Sequence, residues 1–147
     1  MARGGRAWLF LGDGGAGKTT IATELNDGGE TLCVDKALVS ARPDGTLRVH
    51  ATPFGEGLAA PPRRGSAPIA GLCFIEQAEA HDLAPLSRWE ATQGLLKSAI
   101  ATSREPETVQ RTMEAVGRLV DLGTAYRLRF RKDDGFWPLI DGASTEG

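Results

Sequence analysis

Residues 7–25 read AWLFLGDGGAGKTTIATEL, and the reading of this stretch decides the fold class. Ala7 to Leu11 is continuously apolar and stops at a glycine, which suits a short strand buried on both faces. From Lys18 onward, Ile21, Ala22 and Leu25 fall on one helical face until the chain reaches "NDGG". Between strand and helix lie Gly12, Asp13, Gly14, Gly15, Ala16, Gly17, Lys18, Thr19 and Thr20, a segment with almost no bulk. The spacing Gly12-x-x-x-x-Gly17-Lys18-Thr19 is the phosphate-binding loop pattern, in the strand-to-helix setting its mechanism needs. Where Cβ atoms are missing, successive backbone N–H groups turn inward and close on phosphate oxygens. The helix start adds its positive end. Lys18 reaches the β- and γ-phosphates, and Thr19 coordinates Mg²⁺. The expected ligand of this segment is a nucleoside triphosphate.

The whole chain limits what such a loop can belong to. Its 147 residues make one domain, 1–147, large enough to bury a core without a staple. Lys plus Arg number 17 and Asp plus Glu 19, so the net charge of −2 offers no general attraction to nucleic acid or to an anionic membrane. Cys33 and Cys73 sit in apolar runs without a CxxC partner and read as small hydrophobes in a reducing interior. No apolar run is long enough for a signal peptide core or a membrane span. A cytoplasmic protein is expected.

Outward from the loop, Thr31 to Val34 reads as a second buried strand ending at Asp35. After a basic residue come "ALVSA" and a turn at "RPDG", and Leu47 to Ala51 alternates as a half-exposed strand. Residues 52–68, with four prolines and three glycines, read as a long functional or disordered loop. Ile69 to Ile75 is a further buried strand. Ser87 and Glu90 form a capping box for a helix on which Trp89, Leu96 and Ile100 share a face. Pro106 opens another helix, with Val109, Met113, Val116 and Val120 as a core stripe and Gly123 as its end. In the tail, Tyr126, Leu128 and Phe130 alternate with Arg127, Arg129 and Arg131, and "DDG" turns a C-terminal β-hairpin. The arginines read as an exposed strand face that keeps a sheet edge from pairing. Strands interleaved with helices predict an α/β layer fold on a central sheet.

A bound triphosphate needs a carboxylate near its metal, and a kinase needs one near the accepting hydroxyl. Two apolar runs end in acids, Asp35 and Glu76, each equally readable as a solvated strand end. The NKxD base-reading segment and DxxG switch of GTPases are missing from the chain, which favours an adenosine nucleotide.

Taken in order, "LFLGDGGAGKTTIATEL", "TLCVDKALV", "LRVHATPFGEG", "APIAGLCFIEQAEAHDLAPLS" and "YRLRFRKDDGFWPLI" resemble the small proteins related to the C-terminal kinase domain of HPr kinase. The resemblance covers most of residues 7–100 and returns at 125–140. It implies a phosphoenolpyruvate-carboxykinase-like P-loop fold, with a mixed central sheet and flanking helices. It also implies an ATP- and Mg²⁺-dependent serine kinase acting on a peptide, small protein or metabolite, with homo-oligomer formation possible. By the same resemblance Gly12 to Thr20 cradles the ATP phosphates, and Asp35 receives the proton of the attacking hydroxyl. Glu56, in "TPFGEG", joins Thr19 at the metal. The family pattern has two consecutive acids, where this chain has Val34 before Asp35, and an upstream strand with a histidine that this chain lacks. His50 is the candidate substitute, and a structural histidine is the other reading. Arg63 and Arg64 are candidates for the transferred phosphate or an acidic substrate, or else a solvated pair. Two further readings stay open: a nucleotide-binding regulator or scaffold without transfer, and an ATPase in which Glu76 activates water.

Overall fold

A computed structural model describes residues 1–25, 28–52, 65–99 and 105–145. Their elements, in chain order, are β1 (Ala2–Arg3), β2 (Arg6–Leu11), α1 (Lys18–Thr23), β3 (Leu38–Ala41), β4 (Leu47–His50), β5 (Ser66–Gln77), β6 (Asp82–Pro85), α2 (Arg88–Ser98), α3 (Pro106–Asp121), β7 (Ala125–Phe130) and α4 (Trp137–Thr145). The strands join in one seven-stranded mixed sheet, mostly antiparallel, with helices flanking it. None of the described helices is long and apolar enough to cross a membrane.

The sheet is organised by β5. Its apolar run carries residues for both faces, as a strand covered on both sides must. β2 and β7 each pair with it in parallel, and β4 pairs with it antiparallel through Arg48↔Pro68 to His50↔Ser66. β3 and β4 form a hairpin whose turn includes Gly45 at φ +85°. Two apolar clusters lie against the sheet. One gathers Leu9, Leu72, Leu95, Val116 and Val120. The other gathers Ile21, Cys73, Leu128, Phe130, Phe136 and Trp137. Both cysteines are free thiols, and burial pushes the Cys73 thiol well up from its ordinary range.

Several expectations hold. The apolar strand before the glycine loop, the helix after it, the capping box at Ser87, Pro106 in the first turn of α3 and the stop at Gly123 are all present. Others need correction. Among the described residues no C-terminal hairpin forms: β7 pairs with β5 and β6, and the chain after "DDG" becomes α4, because Trp137 and Ile140 of the helix, with Phe136 just before it, are fully buried. The arginine-bearing strand is therefore interior to the sheet, and each arginine meets an acid: Arg127 with Glu90, Arg129 with Glu76, Arg131 with Asp133. Thr31 to Val34 makes no strand; the nearest pairing is a single bridge between Ala2 and Glu30. Residues 66–68 belong to β5 and not to a loop, and Thr52 is buried. On α2, Trp89 is 68 % and Leu96 42 % exposed, while Ala91 and Leu95 make the inner face. Gly94 lets that helix approach so closely that a Cβ there would collide with the Phe74 ring. Val109 and Met113 of the expected core stripe are exposed, and only Val116, Leu119 and Val120 are buried. Ile100 lies outside the described residues.

Candidate functional site

The glycine segment forms a loop at the carboxyl ends of three parallel strands, where open α/β sheets hold ligands. β5 and β7 run on beyond the last paired residue of β2: Leu11 sits opposite Phe74, whereas β5 and β7 remain paired to Gln77↔Phe130. The loop rests on this overhang. A Cβ at Gly12 would meet Ala16 Cβ at 2.9 Å and Ile75 Cγ1 at 3.0 Å. At Gly17, with φ +106°, a Cβ would stand 2.7 Å from Phe130 Cζ. Both glycines are required by contact with the strand ends, and Gly17 also by its left-handed backbone.

Lys18 opens α1 and folds back over the loop, its Nζ donating to the carbonyls of Gly12 at 2.7 Å and Asp13 at 2.8 Å. The Ala16 N–H donates to the Asp13 carbonyl, and the Ile21 N–H to that of Gly17. The N–H groups of Gly14, Gly15, Gly17, Lys18, Thr19 and Thr20 donate to no backbone acceptor among the described residues. No atom lies within 4 Å of a Cβ position at Gly14 or Gly15. The crown of the loop is thus open at Gly14 and Gly15 and rich in backbone donors. Thr19 is exposed, with its hydroxyl uncommitted among the described residues.

Around the loop, the strand-end residues divide by parity. Gln77, on the side of Ile75, donates its Nε2 to the Gly15 carbonyl at 2.8 Å. Glu76 faces the other way, beside Arg129 at 3.5 Å. Further along the same edge, His81 Nε2 lies 2.6 Å from Asp133 Oδ1, and Asp133 also accepts from Arg131 Nε and the Gly135 N–H. Those donors, Arg131 foremost, hold the Asp133 carboxyl down at about 2. The Arg131 N–H reaches His81 Nδ1 at 3.4 Å, so both ring nitrogens are engaged.

A family model described as "ScmC: SynChlorMet cassette protein ScmC" matches residues 1–143. The chain belongs to the ScmC family. No curated protein and no solved structure matches it.

In this ScmC-family chain the remaining sequence candidates fall in three places. Asp35 is exposed on the segment between the Glu30 bridge and β3. That segment is tied down on both sides of Asp35: Thr52 donates its N–H to the Leu32 carbonyl and its hydroxyl to the Lys36 carbonyl. Val34 packs against the cluster that includes Ile21 and Ala22 of α1. Among the described residues the Asp35 carboxylate has no hydrogen-bond or ion-pair partner. His50 ends β4 with its Nε2 2.7 Å from the Ser40 hydroxyl of the neighbouring strand, the contact of a cross-strand structural pair. Glu56, Arg63 and Arg64 lie outside the described residues. No cluster of three His, Cys, Asp or Glu side chains suited to a metal occurs among the described residues. Sequence reasoning missed Gln77, whose only signal was its place directly after the apolar run that ends in Glu76.

Proposed function

We propose that the chain binds Mg²⁺·ATP on the Gly12–Thr20 loop and transfers the γ-phosphate to a serine-type hydroxyl of a peptide, small protein or metabolite. The single observation that carries this reading is the loop itself: an open row of backbone N–H donors backed by Lys18 at the end of a parallel strand. Such a row solvates phosphate oxygens without side chains. Its residues fit the ligand chemically. Lys18 would exchange its two carbonyl acceptors for phosphate oxygens, and Thr19 would give Mg²⁺ one hydroxyl, a metal that usually takes few protein ligands and completes its shell from phosphates and water. Asp35 is the residue for the acceptor proton, since an uncommitted carboxylate can accept a hydrogen bond from a hydroxyl and orient it. The order of motifs shared with HPr-kinase-like proteins supports a P-loop kinase fold around this loop.

A second reading, nucleotide binding without transfer, is favoured by one observation. The position before Asp35 is a valine committed to apolar packing, so a paired acid is missing. Water activation by Glu76 is disfavoured by its turn away from the loop toward Arg129.

The test is calorimetric titration of the purified chain with Mg²⁺·ATP, followed by labelling assays on serine-bearing acceptors. Lys18→Ala is expected to weaken binding by at least about ten-fold, the value of one charge-assisted contact. Asp35→Asn is expected to abolish transfer while binding stays within a few-fold. No binding by the unaltered chain ends the proposal. Binding with no acceptor ever labelled moves the conclusion to the second reading.

A further inference from the structure

Resting on the nucleotide-binding reading above, we propose that Gln77 is a positioning residue that holds the phosphate loop in its donor-outward form. The observation is a hydrogen bond across 62 positions of sequence, from Gln77 Nε2 to the Gly15 carbonyl at 2.8 Å. A carbonyl can only accept, so the amide nitrogen and not its oxygen faces the loop. Gly15 has φ +80° and no atom within 4 Å of its Cβ position, so packing does not fix its backbone. Glycine visits both signs of φ, and the peptide that follows such a residue flips at little cost.

Two hydrogen bonds prevent the flip. The Gly15 carbonyl is held by Gln77, and at the other end of the same peptide the Ala16 N–H is held by the Asp13 carbonyl. The Gly15 carbonyl is thereby drawn toward the end of β5, where the Gln77 amide meets its partial negative charge. Were it released, the oxygen would turn into the space that phosphate oxygens need and repel them. The apparent affinity of a loop competent for only a fraction of the time falls by that fraction. Gln77 is itself exposed at the end of β5 and belongs to neither apolar cluster, so the fold does not depend on its side chain.

The experiment compares the full chain with Gln77→Leu, which deletes the donor at similar size, and with Gln77→Glu, which sets a carboxylate against the carbonyl. Melting temperature, Mg²⁺·ATP affinity by calorimetry, and ¹H–¹⁵N amide spectra are recorded for each, with Lys18→Ala as the reference for a broken site. Both Gln77 variants are expected to melt close to the unaltered chain, because substitutions at exposed positions outside the packed clusters cost little stability. Their Kd is expected to rise about ten-fold, more for Gln77→Glu, which matches the loss of one hydrogen bond. Amide signals of Gly14 to Gly17 are expected to shift or broaden in the ligand-free variants while the remaining signals hold, a signature that general destabilisation would not produce. Unchanged affinity and unchanged loop signals, with Lys18→Ala still removing binding, overturn the role of Gln77 and leave the nucleotide reading standing. Absence of Mg²⁺·ATP binding by the unaltered chain overturns both.

Discussion

Gly17 shows how much one missing side chain sets. The residue combines φ +106° with a Cβ position 2.7 Å from Phe130 Cζ, and Phe130 is fully buried against Phe136 at a ring separation of 5.7 Å. The ring has nowhere to retreat. Gly17→Ala is therefore expected to lose about 1–3 kcal/mol from backbone strain alone, read as a lower denaturation midpoint with an unchanged slope. A variant as stable as the parent would show that the loop relaxes away from the strand ends. The Gly12–Gly17–Lys18–Thr19 spacing could be read in the chain because its chemistry is local. That Gln77 and Phe130 support it could not, since each is distant in sequence and joins only through the β5–β7 overhang.

Among the elements, α2 was the most legible at its start. Ser87 accepts from the Glu90 N–H at 3.3 Å and the Glu90 carboxylate accepts from the Ser87 N–H at 3.0 Å, the reciprocal pair expected from "SRWE". Ser87→Ala is expected to cost about 1 kcal/mol and to lower the melting temperature by about 2–4 °C, measured by circular dichroism. No change would mean that α2 is held by its packing against Phe74 and α3 alone. The face α2 presents was not legible. Trp89 and Leu96 have the right chemistry for a core, yet the small residues Ala91 and Gly94 are what the sheet accepts, because Phe74 already fills the space. The tail shows the same limit. "DDG" is a turn in either outcome, and only the burial of Phe136, Trp137 and Ile140 makes the following segment a helix.

Across the whole molecule, Asp133 ties the β5–β6 connection to the β7–α4 connection through His81, Arg131 and the Gly135 N–H. Its carboxyl is held at about 2, and that of Glu90 is lowered as well, first by the Ser87 hydroxyl. Both folded values lie below the unfolded ones, so in acid the unfolded chain binds more protons than the folded one, and stability rises with pH there. The contribution is complete above the ordinary carboxylate values near pH 4 and is lost as pH falls toward about 2. Melting temperature is expected to be flat above about pH 5 and to decline below it, and Asp133→Asn is expected to make that decline shallower. An identical decline in the variant would assign acid sensitivity to other groups.

Taken by itself, the amino-acid sequence determined a strand, a glycine loop and a helix at residues 7–25, the capping box at Ser87, and a set of apolar runs sufficient for a mixed sheet with helices. Periodicity, turn chemistry and loop spacing act over a few residues, and each leaves a local trace. Only the tertiary structure decided that β7 lies inside the sheet, that its arginines are matched by acids from β5 and α2, and that Gln77 meets Gly15. These outcomes depend on which strands neighbour β5 and how far each runs, and such choices come from burying whole surfaces together, which no short stretch of chain encodes.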